Sequence, residues 1–257
     1  MEILIISLAA FATALLTFFS GFGLGTILMP VFALFFPVEV AIALTGIVHF
    51  SNNLFKISLI GGKADREVLI KFGIPAVAAS FAGAWLLLTI TKMPSILEYQ
   101  IAGRNFEITP VKLTIALLLI IFSLLEIMPS VQNIRFSRSK LALGGVLSGF
   151  FGGLTGIQGA IRSAFLLKSG LDKEAFIATG VVIACLVDFS RISVYASRFK
   201  ESNLQEHLIL VISATLAAIT GAFLGNKMLK KVTLRSIQLL VAVMLLLISI
   251  ALGAGFV

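Results

Sequence analysis

Polar side chains at helical spacing interrupt one of the most apolar stretches of this chain, residues 38–58. Four of them follow the pattern i, i+3, i+4, i+7, namely His49, Asn52, Asn53 and Lys56. This spacing places all four on one face of a helix. Within a bilayer such side chains usually line a cavity or meet a partner, so we predict that this face borders a polar cavity. In the alternative interpretation the lysine extends to the headgroups and the asparagines join neighbouring helices.

A second polar set lies in the apolar run 174–197. Asp188, Arg191 and Tyr195 follow the spacing i, i+3, i+7, which again favours one helical face. These residues either contribute to the same cavity or, in the case of Asp188 and Arg191, form an ion pair that neutralises itself. The sequence leaves both interpretations open.

A third candidate is Arg162, which follows the glycine cluster 152–159 by three residues. The free backbone N–H groups at the start of a helix attract anions, and a guanidinium can grip two oxygens of a sulfonate. We therefore predict an anion site near Arg162, while an extension of its side chain to the headgroups is the alternative. Backbone and small polar groups of two glycine clusters belong to the same prediction: Gly21, Gly23, Gly25, Thr26, Gln158 and Gly159.

Several kinds of site are missing from the sequence. It contains no HExxH, GxSxG or Walker-type motif, so we predict neither an enzyme nor a nucleotide-driven pump. The single cysteine, Cys185, allows no internal disulfide, and the two histidines lie far apart. We predict no cofactor and no metal site.

The composition excludes a soluble globular domain. Of 257 residues, 59% are hydrophobic and only 12% charged, and the mean hydropathy is +1.09, whereas soluble domains carry about 25% charged residues. The net charge of +8 resides largely in short loops, where Lys and Arg orient a chain in the bilayer rather than bind nucleic acid. We predict an all-α polytopic membrane protein. In the segment 97–109, polar and apolar residues alternate around Ala102–Gly103. This pattern predicts a small external hairpin.

Two glycine clusters, SGFGLG at 20–25 and GGLTGIQG at 152–159, predict breaks between paired helices, because glycine weakens a helix by about 1 kcal/mol per residue. If each broken pair returns to the side where it began, the loops hold twelve basic residues on one side and five on the other. The positive-inside rule then places the twelve in the cytoplasm and both termini outside.

The chain also carries an internal repeat. Ala41, Thr45 and Gly46 match Ala175, Thr179 and Gly180 in sequence and spacing. Each copy follows a glycine-broken pair, so we predict two repeats of about five segments each. An odd number of segments inverts the second repeat relative to the first. The predicted division is a first repeat at 1–128, a cytoplasmic linker at 129–138 and a second repeat at 139–257.

These motifs resemble those of the sulfite exporter TauE/SafE family of permeases over nearly the whole chain. The resemblance rests on GFGLGTILMP at 21–30, the helix with the Thr-Gly pair that follows, and the second copy GGLTGIQGA at 152–160. It implies a small duplicated protein of the inner membrane that moves sulfite or organosulfonate anions. In the second copy Gln158 and Ala160 stand where a glycine-richer run is usual.

Together these observations predict a secondary permease that exports a small sulfur-containing anion. Its partners are then the anion and the lipid bilayer, and the sequence leaves open whether the chain forms a homodimer. An anion channel is the main alternative, and a membrane-embedded enzyme using His49 and Asp188 is a weaker one. The coupling ion and the direction of transport stay open.

Overall fold

A computed structural model describes residues 1–18, 23–128, 136–167, 169–196, 207–228 and 234–256. Gly21 and most of the predicted linker lie outside the described residues. The structure is built almost entirely of helices, which confirms the all-α class. The first half contains α1 (Glu2–Thr17), α2 (Leu24–Ala33), α3 (Val38–Ile60), α4 (Arg66–Ile90) and α5 (Pro110–Ile127). The second half contains α6 (Leu141–Thr155), α7 (Gly159–Leu166), α8 (Lys173–Ala196), α9 (Leu208–Met228) and α10 (Leu234–Gly253).

The helices differ in whether they can cross a membrane on their own. By length and apolar composition α3, α4, α8 and α9 can do so. The short helices α2 and α7 have only 10 and 8 residues, about 15 and 12 Å at 1.5 Å per residue, well short of the roughly 30 Å hydrocarbon core. Each short helix therefore needs its broken partner, α1 or α6, to complete a membrane-embedded pair.

Local sequence explains where these helices begin and end. The α5 helix begins at Pro110, and the Thr109 hydroxyl caps it by accepting a hydrogen bond from the Lys112 N–H at 3.3 Å. The α6 helix ends at Thr155 and is followed by Gly156, whose φ of +80° is the left-handed conformation that glycine adopts readily. Its N–H donates to the Gly152 carbonyl at 2.9 Å. The second glycine cluster is thus a true helix interruption.

Glycines allow very close contact between helices of different halves. A Cβ atom at Gly145, Gly149 or Gly153 of α6 would lie 2.0 to 2.2 Å from a backbone carbonyl oxygen of α4. A Cβ atom at Gly221 of α9 would lie 2.3 Å from the Phe11 carbonyl oxygen of α1. Small residues that let backbones approach are the usual basis of helix packing in membranes. The pairs α4–α6 and α1–α9 therefore form a tightly packed frame.

The packing partners correspond between the halves. The first helix of each half packs on the fourth helix of the other, as α1 on α9 and α6 on α4. The third helices, α3 and α8, pack on each other, and so do the fifth helices, α5 and α10. The pair α3–α8 carries the two predicted polar faces, so its contact determines how these faces meet.

A two-stranded hairpin lies between α4 and α5, as the alternating sequence predicted. Strands β1 (Leu97–Ile101) and β2 (Arg104–Ile108) are antiparallel, with Tyr99 opposite Phe106. The Tyr99 hydroxyl donates to the Ala254 carbonyl, and the Phe106 ring meets Phe256 edge-on at 5.1 Å. The hairpin thus packs on the chain end that follows α10.

The predicted orientation in the membrane can be tested across α5, because Asn105 precedes this helix and Ser137 follows it. In a Cys185→Ala background, we expect an Asn105→Cys variant to react with a membrane-impermeant maleimide in intact cells. A Ser137→Cys variant should react only after the cells are permeabilised, because the basic loops are predicted to be cytoplasmic. Both side chains are exposed, so access to the reagent depends on the side of the membrane. The opposite labelling pattern would contradict the orientation.

Candidate functional site

A buried polar cluster joins α3 to α8 at the centre of the structure. The Asp188 carboxylate on α8 is fully buried and receives donors from three helical elements. His49 Nδ1 lies 2.5 Å from Asp188 Oδ2, and Arg191 Nε lies 3.0 Å from Oδ1. The amides of Asn53 and Gln158 approach the same carboxylate at 3.4 and 3.5 Å. Asp188 is therefore the common acceptor that links His49 and Asn53 of α3 to Gln158 and Arg191.

Arg191 is the most enclosed charge in the cluster. Its side chain is fully buried, and its guanidinium Nη2 lies 2.9 Å from Asp188 Oδ1. Two glycines make room for it: a Cβ at Gly46 of α3 would lie 3.1 Å from Cζ, and a Cβ at Gly156 would lie 2.8 Å from Nη1. The ion pair between Asp188 and Arg191 is present, but it is not isolated, because His49 binds the second carboxylate oxygen.

Lys56 and Arg162 supply two further buried cations. Lys56 is 5% exposed and Arg162 3%, so neither side chain extends to the surface as the alternative interpretations required. Lys56 Nζ lies 5.2 Å from the centre of the Phe18 ring, a distance suited to a cation–π contact. Arg162 Nη1 donates to Gln158 Oε1 at 3.2 Å, and its Nε would lie 3.5 Å from a Cβ at Gly180.

A small cavity opens beside this cluster. The described residues that line it come from α1, α2, α3, α7 and α8: Thr17, Leu24, His49, Asn53, Lys56, Arg162, Val181 and Ala184. The space open to the centre of a water molecule is about 10 Å³, room for about one water. Cationic groups and amides border one part of the cavity and aliphatic side chains the other. As it stands, the cavity is smaller than a sulfite ion.

The two helix breaks meet close to the cluster. A Cβ at Gly25, in the first turn of α2, would lie 3.3 Å from the Gly156 carbonyl oxygen and 3.6 Å from the His49 ring. Gln158 directly precedes α7, and Gly159 is the first residue of that helix. The Gln158 carbonyl accepts a hydrogen bond from Ser148 Oγ at 3.1 Å. The N-terminal ends of both short helices are thus close to the buried charges.

The structure brings most of the predicted residues together, with some exceptions. Gly23, with φ of +119°, lies next to Thr17 rather than against the charged groups. Thr26 is buried but does not line the cavity. Asn52 is fully buried, and neither polar atom of its side chain has a hydrogen-bond partner among the residues that the structure describes. Asn53 bridges α3 and α8, which agrees in part with the alternative interpretation that the asparagines join neighbouring helices.

Sequence reasoning missed several residues that shape the site. Gly46 and Gly156, which accommodate Arg191, were visible only as members of a repeat and of a glycine cluster. The Thr-Gly pair recurs at 45–46 and 179–180, and each of its glycines faces a buried arginine, so the repeat was the available signal. Val181 and Ala184 carried no signal, because apolar residues that line a cavity look like any others in a membrane helix.

The charges define what this arrangement can bind. Among the described residues, the cluster contains three cationic side chains, Lys56, Arg162 and Arg191, and a single carboxylate, Asp188. Charge-assisted donors in a protected environment favour an anion with several oxygens. No group of acidic, histidine or cysteine side chains in the described part of the chain is arranged to hold a metal ion.

The chain is a polytopic helical membrane protein with a buried cationic cluster between its two halves. These features are typical of membrane transport proteins. The chain belongs to the sulfite exporter TauE/SafE family, whose model matches residues 6–252. It is therefore an integral membrane protein of a permease family. Comparisons with curated proteins and with solved structures gave no match.

Proposed function

We propose that this protein is a secondary transporter that exports a small sulfur-containing anion, such as sulfite or an organosulfonate, across the inner membrane. The observation that carries the proposal is the buried cluster of three cations and one carboxylate beside a cavity between the two halves. Burying several like charges is unfavourable unless a partner offsets them. A bound anion is such a partner, and membership of the sulfite exporter family supports its sulfur chemistry.

The site residues have distinct roles in this proposal. Lys56 and Arg162 line the cavity and bind the oxygens of the anion, and His49 and Asn53 complete the polar wall. Asp188 and Arg191 lie behind this wall and orient His49 and Asn53. The first turns of α2 and α7, with Gly25 and Gly159, direct helix N-termini toward the anion. We propose no catalytic step and no cofactor.

The two halves form an inverted repeat in this proposal. Five helices in each half, the recurring Thr-Gly pair, and the exchange of packing partners between halves all support it. Transporters with inverted repeats place discontinuous helices and their substrate near the middle of the membrane. Alternating access then consists of a motion of one set of helices against the other around α3 and α8.

The size of the cavity favours a carrier over a channel. Room for about one water means that an anion can enter only after the helices separate, and a closed site that opens by conformational change is what a carrier needs. With a negative cytoplasm, the membrane potential favours export by about 2.3 kcal/mol per charge per 100 mV. In this proposal the anion crosses the membrane without a continuous pore lined by cations.

Counterflow in proteoliposomes tests this proposal. Vesicles loaded with unlabelled sulfite should accumulate labelled sulfite transiently above its outside concentration, because a carrier exchanges one anion for another. A channel lets the label equilibrate without overshoot, so a simple approach to equilibrium would favour the channel. An absence of any flux for sulfite, sulfoacetate and sulfate alike would contradict anion transport.

Arg162 provides a direct test of the anion site. We expect Arg162→Gln to weaken anion binding about 10- to 100-fold, because it removes charge-assisted hydrogen bonds worth about 1.5–3 kcal/mol. The matched control is Arg104→Gln, since Arg104 is exposed at the start of β2 and its loss should leave binding unchanged. Binding constants can be measured by calorimetry on purified protein. An equal effect of both substitutions would point to a general loss of positive charge instead of a site at Arg162.

A further inference from the structure

The His49 ring lies between the buried carboxylate and the cavity. Its Nδ1 is 2.5 Å from Asp188 Oδ2, while the ring itself lines the cavity together with Lys56 and Arg162. The carboxylate assigns the proton of a neutral imidazole to Nδ1, because a carboxylate only accepts. Nε2 is then the accepting nitrogen of the ring, and the Asn53 amide nitrogen lies 3.2 Å from Nδ1 and 3.5 Å from Nε2.

The charged groups around His49 come from three helices. Lys56 lies on the same helix, α3; Arg162 faces the cavity from α7; and Asp188 and Arg191 approach from α8. The lining residues of α1 and α2, Thr17 and Leu24, are uncharged. The described surroundings of the ring thus contain three cations and one carboxylate.

We propose that the His49–Asp188 pair takes up a proton when an anion enters the cavity, so that proton and anion bind together. This inference rests on the proposed anion transport and adds the coupling ion to it. An anion beside the ring offsets the repulsion from the three cations. Without a proton, Nε2 is an acceptor and repels an anion. With a proton, it is a donor that can hydrogen-bond to the anion.

The coupling is reciprocal. If the anion favours the protonated pair, the proton must favour anion binding by the same factor. A proton that moves with the anion also cancels one negative charge, so the electrical driving force falls by about 2.3 kcal/mol per 100 mV. The pH gradient then acts on transport as well, and it opposes export when the cytoplasm is the more alkaline side. Transport by this protein should therefore respond to pH as well as to membrane potential.

Calorimetry on the purified full chain tests the coupling directly. The probe anions are methanesulfonate and sulfate, which do not titrate between about pH 6 and about pH 8, the range in which histidine does. For the unmodified protein we expect affinity to rise up to about tenfold per pH unit as the pH falls, the limit for one linked proton. The binding heat should also vary with the ionisation heat of the buffer, which counts the protons taken up.

The two histidines of the chain supply a variant and its matched control. In His49→Gln, binding should lose its dependence on pH and buffer, whatever its affinity. In His207→Gln both should persist, since the His207 ring packs against Phe36, at 4.8 Å between ring centres, and does not line the cavity.

If the unmodified protein binds anion without proton uptake, the coupling is wrong and the proposed transport stands, even if His49→Gln does not fold. If it binds no anion, the proposed function is wrong. Uptake that persists in His49→Gln also overturns the assignment to this pair.

Discussion

An Arg191→Gln variant should lose most of its folded protein, and adding Asp188→Asn should restore it. The single change removes the Nε donor at 3.0 Å and the guanidinium charge, whose Nη2 lies 2.9 Å from the fully buried carboxylate. An uncompensated buried charge of this kind costs about 3–5 kcal/mol, a large part of the roughly 5–15 kcal/mol that stabilises a typical protein. The double change removes both charges and leaves two neutral amide side chains, one of them shorter than the arginine that it replaces. Thermal unfolding and the yield of monodisperse protein in detergent measure the effect.

An exposed ion pair offers the matched control for this prediction. Arg138 Nη2 lies 2.8 Å from Glu67 Oε2, and both side chains are exposed. Exposed pairs contribute at most about 1 kcal/mol, so Arg138→Gln should change the unfolding temperature little. A comparable loss in Arg138→Gln and Arg191→Gln would show that the burial of the pair does not matter.

Anion binding by the double variant then separates two roles of Arg191. If the residue only balances Asp188, the double variant should fold and bind anion with an affinity close to that of the parent at the alkaline end of the range, where the His49–Asp188 pair takes up no proton. If Arg191 contacts the anion, the variant should fold but bind poorly. Weak folding in the double variant would contradict both readings, because it would show that His49 and Asn53 need the charged carboxylate to hold α3 against α8.

Substitution of Gly149 by valine is the second change with a large expected effect. Even its Cβ atom would lie 2.0 Å from the Ala76 carbonyl oxygen and 2.6 Å from Ala76 Cα. These are backbone atoms of α4, so the two helices must separate, and the cost should exceed the roughly 1–3 kcal/mol typical of overpacking. We expect little or no monodisperse Gly149→Val protein after extraction from the membrane.

Gly62→Val is the matched control, because a Cβ at Gly62 has no heavy atom within 4 Å and its φ lies outside the left-handed region. This variant should be extracted in normal yield with a nearly unchanged unfolding temperature. A normal yield of Gly149→Val would mean that α4 and α6 do not pack as closely as the structure has them. The result bears on function too, since Gly156, which directly follows α6, accommodates Arg191.

The sequence by itself determined the properties that depend on local composition and spacing. Low charge and high hydropathy established the membrane class, because a soluble surface needs polar residues. Glycine clusters located the helix breaks, and the spacing from His49 to Lys56 placed those polar residues on one helical face. The same reasoning selected Asp188 and Arg191 but could not decide between a cavity and an ion pair, because that depends on which helix faces them.

Only the tertiary structure decided how these faces meet. His49 and Asp188 are 139 positions apart, and nothing in the local pattern of either helix specifies the other as its partner. The structure also shows that Gly46 and Gly156 admit the Arg191 guanidinium and that Lys56 and Arg162 border one cavity. In the described part of the chain, Asn52 has no hydrogen-bond partner. These outcomes depend on the packing of α3 against α8 and α7, because burial and contact between distant segments arise from how whole helices fit together.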